Sequence, residues 1–250
     1  MFSRATAAIL VVGIVAAAPT SGFAQQPAAK QPAEDAQQPT LKRLSKTDDV
    51  WIDVKRKLVV VGGEICLREG MLEMFACPKR TKEHEAIVAV DSKAYVIHAA
   101  LLAVGAKAGQ PVKFHPQYEP ASGSEIDVLV LWRDADGKKR QTPAQQWIRN
   151  VKTRQPMKHA WVFAGSGFWE DPDTGQRHYH AESGDMICVS NFSTAMMDLP
   201  VESPQGTSAL LFDAFTDRIP PLGTKVRLVL KPKVAAKPAE DEKSPAASDE

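Results

Sequence analysis

Residues 93–104 constrain this chain more than any other stretch. The capping pair Asp91-Ser92 precedes them, and Gly105 stands where a left-handed residue stops a helix. Between those marks the run Ala-Tyr-Val-Ile-His-Ala-Ala-Leu-Leu-Ala-Val is apolar on every side except at His98, whereas a surface helix shows a polar stripe. The segment, at about 92–104, therefore reads as a buried core helix. At roughly 1.5 Å per residue it is under about 20 Å long, too short to cross a bilayer.

Strand signals surround it. Residues 50–54 and 57–61 read as an opening hairpin, 65–67 and 71–76 as the arms of a second about Glu69-Gly70, and 85–90 as a further strand. A short strand follows the helix at 111–114. Residues 124–133 put Ile126, Val128, Val130 and Trp132 on one face, and Asp136-Gly137 turns the chain back through 138–141. Residues 144–150 suit a turn or two of helix carrying Trp147. From 159 to 169 runs an aromatic strand interrupted at Gly165-Ser166-Gly167; 171–175 turns it and 176–180 returns. Strands are expected at 185–190 and 224–230, and short helices at 193–198 and 209–215. The expected fold is α+β: one strand-dominated domain, mostly antiparallel hairpins packed around a buried central helix.

The two ends read differently. Arg4 precedes an apolar run over 5–18, and Gly22-Phe23-Ala24 places small residues where a signal peptidase reads, so residues 1–24 read as a leader cut after Ala24. No cysteine is near that cut to take a lipid. A periplasmic or secreted chain follows, with no membrane insertion of its mature part. Residues 25–48 and 232–250 are too poor in apolar side chains to offset chain entropy and read as disordered linker and tail. Residues 49–231 remain as the folded domain. The full chain carries 31 basic and 30 acidic residues, so loss of Arg4 balances them, which argues against a nucleic-acid partner held by charge.

An exported chain with three cysteines permits one disulfide and one leftover thiol. Cys66 and Cys77 are nearest in sequence. A two-residue turn at Glu69-Gly70 would leave them roughly 12 Å apart at strand rise, so a bridge needs a bend; small buried thiols are the alternative. There is no Cys-x-x-Cys, and three thiolates are too few for an iron–sulfur cluster. Cys77, His84, Glu85 and His98 have donor types that suit zinc, while His98 also reads as a core histidine satisfied by backbone or by Glu85. The zincin motif is absent, because Val88 stands where its second histidine belongs. His178 and His180, two apart in an expected strand, leave one face together, opposite Trp161, Phe163, Phe168 and Trp169. That group suits stacking on a sugar or filling the edge of the core. Gly165-Ser166-Gly167 is not a nucleophile elbow, and no phosphate-cradling loop occurs.

Five runs carry a resemblance: residues 63–70, 73–78, Lys82-Glu83-His84-Glu85, 98–105 and 162–168. Together they resemble the YdjY-domain family of exported bacterial proteins over most of 49–231. The resemblance implies an exported domain and brings no catalytic residue with it. The leading expectation is non-catalytic binding of a cell-envelope ligand or protein near the 159–180 hairpin, with no cofactor. The alternative is a metal-dependent hydrolytic enzyme or a metal-binding protein, with ligands from Cys77, His84, Glu85 and His98 or from His178 and His180, whose spacing can chelate one metal ion.

Overall fold

The computed structural model describes residues 41–205 and 209–233. The expected leader, residues 25–40 of the linker and residues 234–250 of the tail lie outside them. In chain order the strands are β1 (Lys42–Arg43), β2 (Val50–Asp53), β3 (Leu58–Ile65), β4 (Met74–Pro78), β5 (Ala86–Val90), β6 (Glu125–Arg133), β7 (Lys139–Pro143), β8 (Ile148–Asn150), β9 (Trp161–Phe163), β10 (Phe168–Glu170), β11 (Arg177–Tyr179), β12 (Ile187–Cys188), β13 (Met197–Asp198), β14 (Phe212–Ala214) and β15 (Lys225–Pro232). One α-helix occurs among the described residues, α1 (Ala94–Ala103), between β5 and β6.

Strict alternation organises the longest strands. β15 buries Val226, Leu228 and Leu230 and β6 buries Ile126, Val128 and Val130, all in one core. β15 pairs antiparallel with β3 from Lys225↔Glu64 to Leu230↔Val59, and with β6 from Val226↔Trp132 to Pro232↔Ile126. Pairing continues from β6 through β9, β13, β12, β4 and β5, and β5 pairs back onto β3. Eight strands thus close into a barrel, whose interior is narrow enough to be filled by side chains and whose ring has no open edge. β1 and β2 continue outward from β3, β7 folds back on β6, and β10–β11 and β8–β14 form two-stranded sheets.

The closed barrel overturns the expected α+β fold around a central helix. The protein is mostly β, and α1 lies against the barrel's end rather than at its centre. Following the strand directions around the ring, β4, β5 and β9 finish, and β12 and β13 begin, at the end where α1 starts. Ala94, Ile97, Ala100 and Leu101 join the core, while Tyr95 and Leu102 on the other side are 45% and 47% exposed. The apolar run marks a helix correctly, but the barrel offers it only one packing face. Gly105 has φ +93°, the left-handed stop that its position predicts. The N-terminal cap comes from elsewhere: Asp48 Oδ1 accepts the Lys93 N–H at 2.9 Å and Glu182 Oε1 accepts the Tyr95 N–H at 2.9 Å. Residues 41–48, expected as linker, thus supply β1 and a helix cap.

Other expectations divide along the same line between local and distant pairing. The 50–61 hairpin and the turn at Asp136-Gly137 form as expected. No hairpin forms about Glu69-Gly70. β3 instead runs through to Ile65 and pairs with β5, while β4 pairs in parallel with β5 and antiparallel with β12. Residues 111–114 contribute only the bridge Lys113↔Glu119, and the segments expected as helices at 193–198 and 209–215 contain β13 and β14. No helix of the described residues is long and apolar enough to cross a membrane.

Candidate functional site

The aromatic and histidine group expected on one surface separates into two environments. Trp161 and Phe163 on β9 are fully buried, and Trp161 Nε1–H donates to the Cys188 carbonyl at 2.7 Å. Phe168 and Trp169 on β10 remain 54% and 45% exposed. The β10–β11 register sets Trp169 opposite His178, and their rings stack with centroids 4.7 Å apart and planes 20° from parallel. The Arg177 guanidinium lies 4.8 Å from the Phe168 ring. His180 does not continue β11: it enters a 3-10 turn, His180–Ser183, beside Gly167, so the two histidines do not form a strand pair.

Tyr179 fastens this hairpin to the barrel end. It is 5% exposed and packs between the Phe168 ring, 5.1 Å away, and the His98 ring of α1, 5.5 Å away. Its hydroxyl lies 2.8 Å from His98 Nδ1 and donates to the Gly165 carbonyl at 3.0 Å. A tyrosine hydroxyl has one proton, so this geometry assigns the second to His98 Nδ1–H. His98 also meets Phe163 edge-on at 4.8 Å. Burial lowers the His98 pKa and raises that of Tyr179, so both groups are neutral here.

A second polar cluster lies along the flank of β4 and β12. The Lys82 ammonium is 3.2 Å from Asp185, 3.4 Å from Glu85 and 3.8 Å from Glu73, and 4.4 Å from the Phe192 ring. Gly184, at φ +133°, makes room for it, since a Cβ there would sit 2.5 Å from Lys82 Cγ. Burial opposes the charge on Lys82, but Asp185 and the two glutamates more than offset it and raise the ammonium's pKa. Burial, then the neighbouring Glu85 charge, raises that of Glu73. Asp185 also accepts the Thr194 hydroxyl, and the Thr194 carbonyl accepts Ser166 Oγ–H at 2.6 Å, which ties this cluster to the 165–167 loop. Beside it, the fully buried Asp198 accepts Asn191 Nδ2–H at 3.1 Å and the Leu199 N–H at 2.7 Å. Burial chiefly pushes its pKa up to about 7.

The four residues weighed as zinc ligands are not gathered. His84 is exposed and 3.9 Å from Glu85, Cys77 is buried with Met74 and Cys188, and His98 is committed to Tyr179. No group of three or more His, Cys, Asp or Glu residues suited to a metal ion occurs among the described residues. The Cys66–Cys77 bridge is not formed: all three cysteines are free thiols, and Cys66 Sγ donates to the Ala86 carbonyl at 3.0 Å. Burial pushes the thiols of Cys66 and Cys77 up to about 12 and about 11.

Sequence reasoning passed over Tyr179, Lys82, Glu73, Asp185 and Asp198. Tyr179 had a signal, because alternation sends the residue between His178 and His180 to the opposite, inward face. Lys82 heads the Lys-Glu-His-Glu run, with Glu85 three residues on. Nothing in the chain pairs it with Asp185 across a hundred positions.

Fold and site together define a closed, mostly β barrel that carries a helix at one end and an aromatic hairpin pinned to that helix. The chain belongs to the YdjY domain family, whose profile matches residues 50–231. No curated protein and no solved structure matches it.

Proposed function

We propose that this is an exported, non-catalytic binding domain that recognises a cell-envelope glycan through the β10–β11 hairpin. The observation that carries the reading is the exposed Trp169–His178 stack, with Phe168 and Arg177 beside it. Stacked flat rings with a polar edge suit the apolar face of a sugar, and exposed tryptophan and arginine side chains are the usual energetic anchors of recognition surfaces. The bonds from Tyr179 to His98 and Gly165 hold the hairpin in place before a ligand arrives, which reduces the ordering cost of binding. The neighbouring Ser166 hydroxyl is donated to the Thr194 carbonyl at 2.6 Å, which commits its proton to the backbone.

Co-sedimentation with insoluble peptidoglycan tests the reading. Trp169→Ala and His178→Ala should each weaken retention about tenfold, on the scale of a lost aromatic anchor, with the thermal midpoint unchanged. Retention equal to that of the unaltered protein would remove the hairpin as the contact surface.

A further inference from the structure

A separate cleft of about 730 Å³ opens at the barrel end opposite α1, where β6 finishes and β15 begins. Its size is that of a small-molecule site. Trp132 lines it and packs against the fully buried Trp147, with ring centroids 5.3 Å apart; Ile219, Pro220 and Pro221 add apolar wall. Four cations stand on the rim: Arg133, Arg140, Arg218 and Lys225. Arg140 is paired with Asp134 at 2.7 Å and Lys225 with Glu64.

Arg133 and Arg218 form no ion pair with a carboxylate among the described residues. Each is instead steadied by a neutral acceptor, Arg133 Nη1–H donating to the Gly137 carbonyl at 2.8 Å and Arg218 Nη1–H to Gln146 Oε1 at 2.6 Å. The Arg218 guanidinium also lies 4.0 Å from the Phe215 ring. Two guanidinium groups are thus held in position with donors left over, the geometry that takes a carboxylate or phosphate in a forked pair. Asp217 lines the same cleft and offers acceptors to hydroxyl groups.

We infer that this cleft is a second ligand site, for a saccharide carrying a phosphate or carboxylate group. The sugar ring lies on Trp132 and the proline wall, and its anionic substituent is held between Arg133 and Arg218. None of these residues belongs to the β10–β11 hairpin.

Calorimetric titration of the purified protein with glucose 6-phosphate and with glucuronate tests the assignment, using glucose, inorganic phosphate and adenosine monophosphate as comparison ligands. At least one of the two anionic sugars should bind saturably, and each comparison ligand about tenfold more weakly or worse. The exposed pair Arg133→Gln/Arg218→Gln should weaken that binding about tenfold or more while leaving the thermal midpoint and peptidoglycan retention in place. Equal affinity for inorganic phosphate would make this a bare anion site, and equal affinity for the nucleotide would make it a general aromatic slot. Either result overturns the assignment, as does the absence of binding by both anionic sugars or an undiminished affinity in the double variant.

Discussion

His98 Nδ1 lies 2.8 Å from the Tyr179 hydroxyl, so one hydrogen bond joins the only α-helix of the described residues to the hairpin that carries the exposed aromatics. The same hydroxyl reaches the Gly165 carbonyl, and three segments distant in sequence meet at one oxygen atom.

Tyr179→Phe removes that oxygen and with it the two hydrogen bonds that join the hairpin to His98 and to the Gly165 carbonyl in a largely buried position. The expected cost is about 1–3 kcal/mol, read by denaturant unfolding, and glycan retention should fall with it because the hairpin loses its anchor. An unchanged unfolding midpoint would show that the junction is not structural.

Lys82→Met leaves Glu73, Glu85 and Asp185 facing one another without a cation. The Lys82 side chain is 24% exposed, so water softens the penalty, and the expected loss at pH 7 is about 1–3 kcal/mol. Burial, then the Glu85 charge, raises the pKa of Glu73, so as pH falls to 4 Glu73 takes up a proton and the loss should shrink. A loss that is the same at both pH values would mean that packing, not charge, is what Lys82 contributes.

Asp198 makes the stability of the fold depend on pH in a definite direction. Its folded pKa of about 7 lies above the unfolded value of about 3.9, so the folded state holds a proton that the unfolded state lacks between those values. The contribution is fully present below about pH 3.9 and is lost as pH rises to about 7. Asp198→Asn cannot titrate, so its stability relative to the unaltered protein should improve steadily as pH is raised from 4 to 7, measured by denaturant unfolding at each pH. A difference that does not vary with pH would place the carboxyl in a less costly setting.

The thiols should be inert in the folded protein. Cys77 and Cys188 are fully buried, and all three thiols have raised pKa values, so alkylation by iodoacetamide at pH 8 should be slow natively and complete after unfolding. Rapid native labelling of Cys77 or Cys188 would contradict that packing.

The legible parts of this fold are those whose signals lie within a few residues of one another. The alternation of Ile126, Val128 and Val130 and the Asp136-Gly137 turn give the β6–β7 hairpin, and Gly105 marks the end of α1. The barrel itself is written in distant pairings, β15 with β3 and β5 with β3, which no local pattern announces. α1 reads as central because its small apolar residues surround it, yet only the side bearing Ile97 and Leu101 finds a partner. The site divides in the same way: Trp169 and His178 are legible as a cross-strand pair, whereas Lys82 and Asp185 meet only because β4 and β12 are neighbours in the ring.

The central claim is that the exposed face of the β10–β11 hairpin contacts the ligand, and the indole N–H signals of the protein's five tryptophans test it most directly. On titration of ¹⁵N-labelled protein with soluble peptidoglycan fragments, the Trp169 signal should shift and saturate, while those of the buried Trp147 and Trp161 stay in place. A Trp169 signal that does not move under saturating fragment would contradict the account.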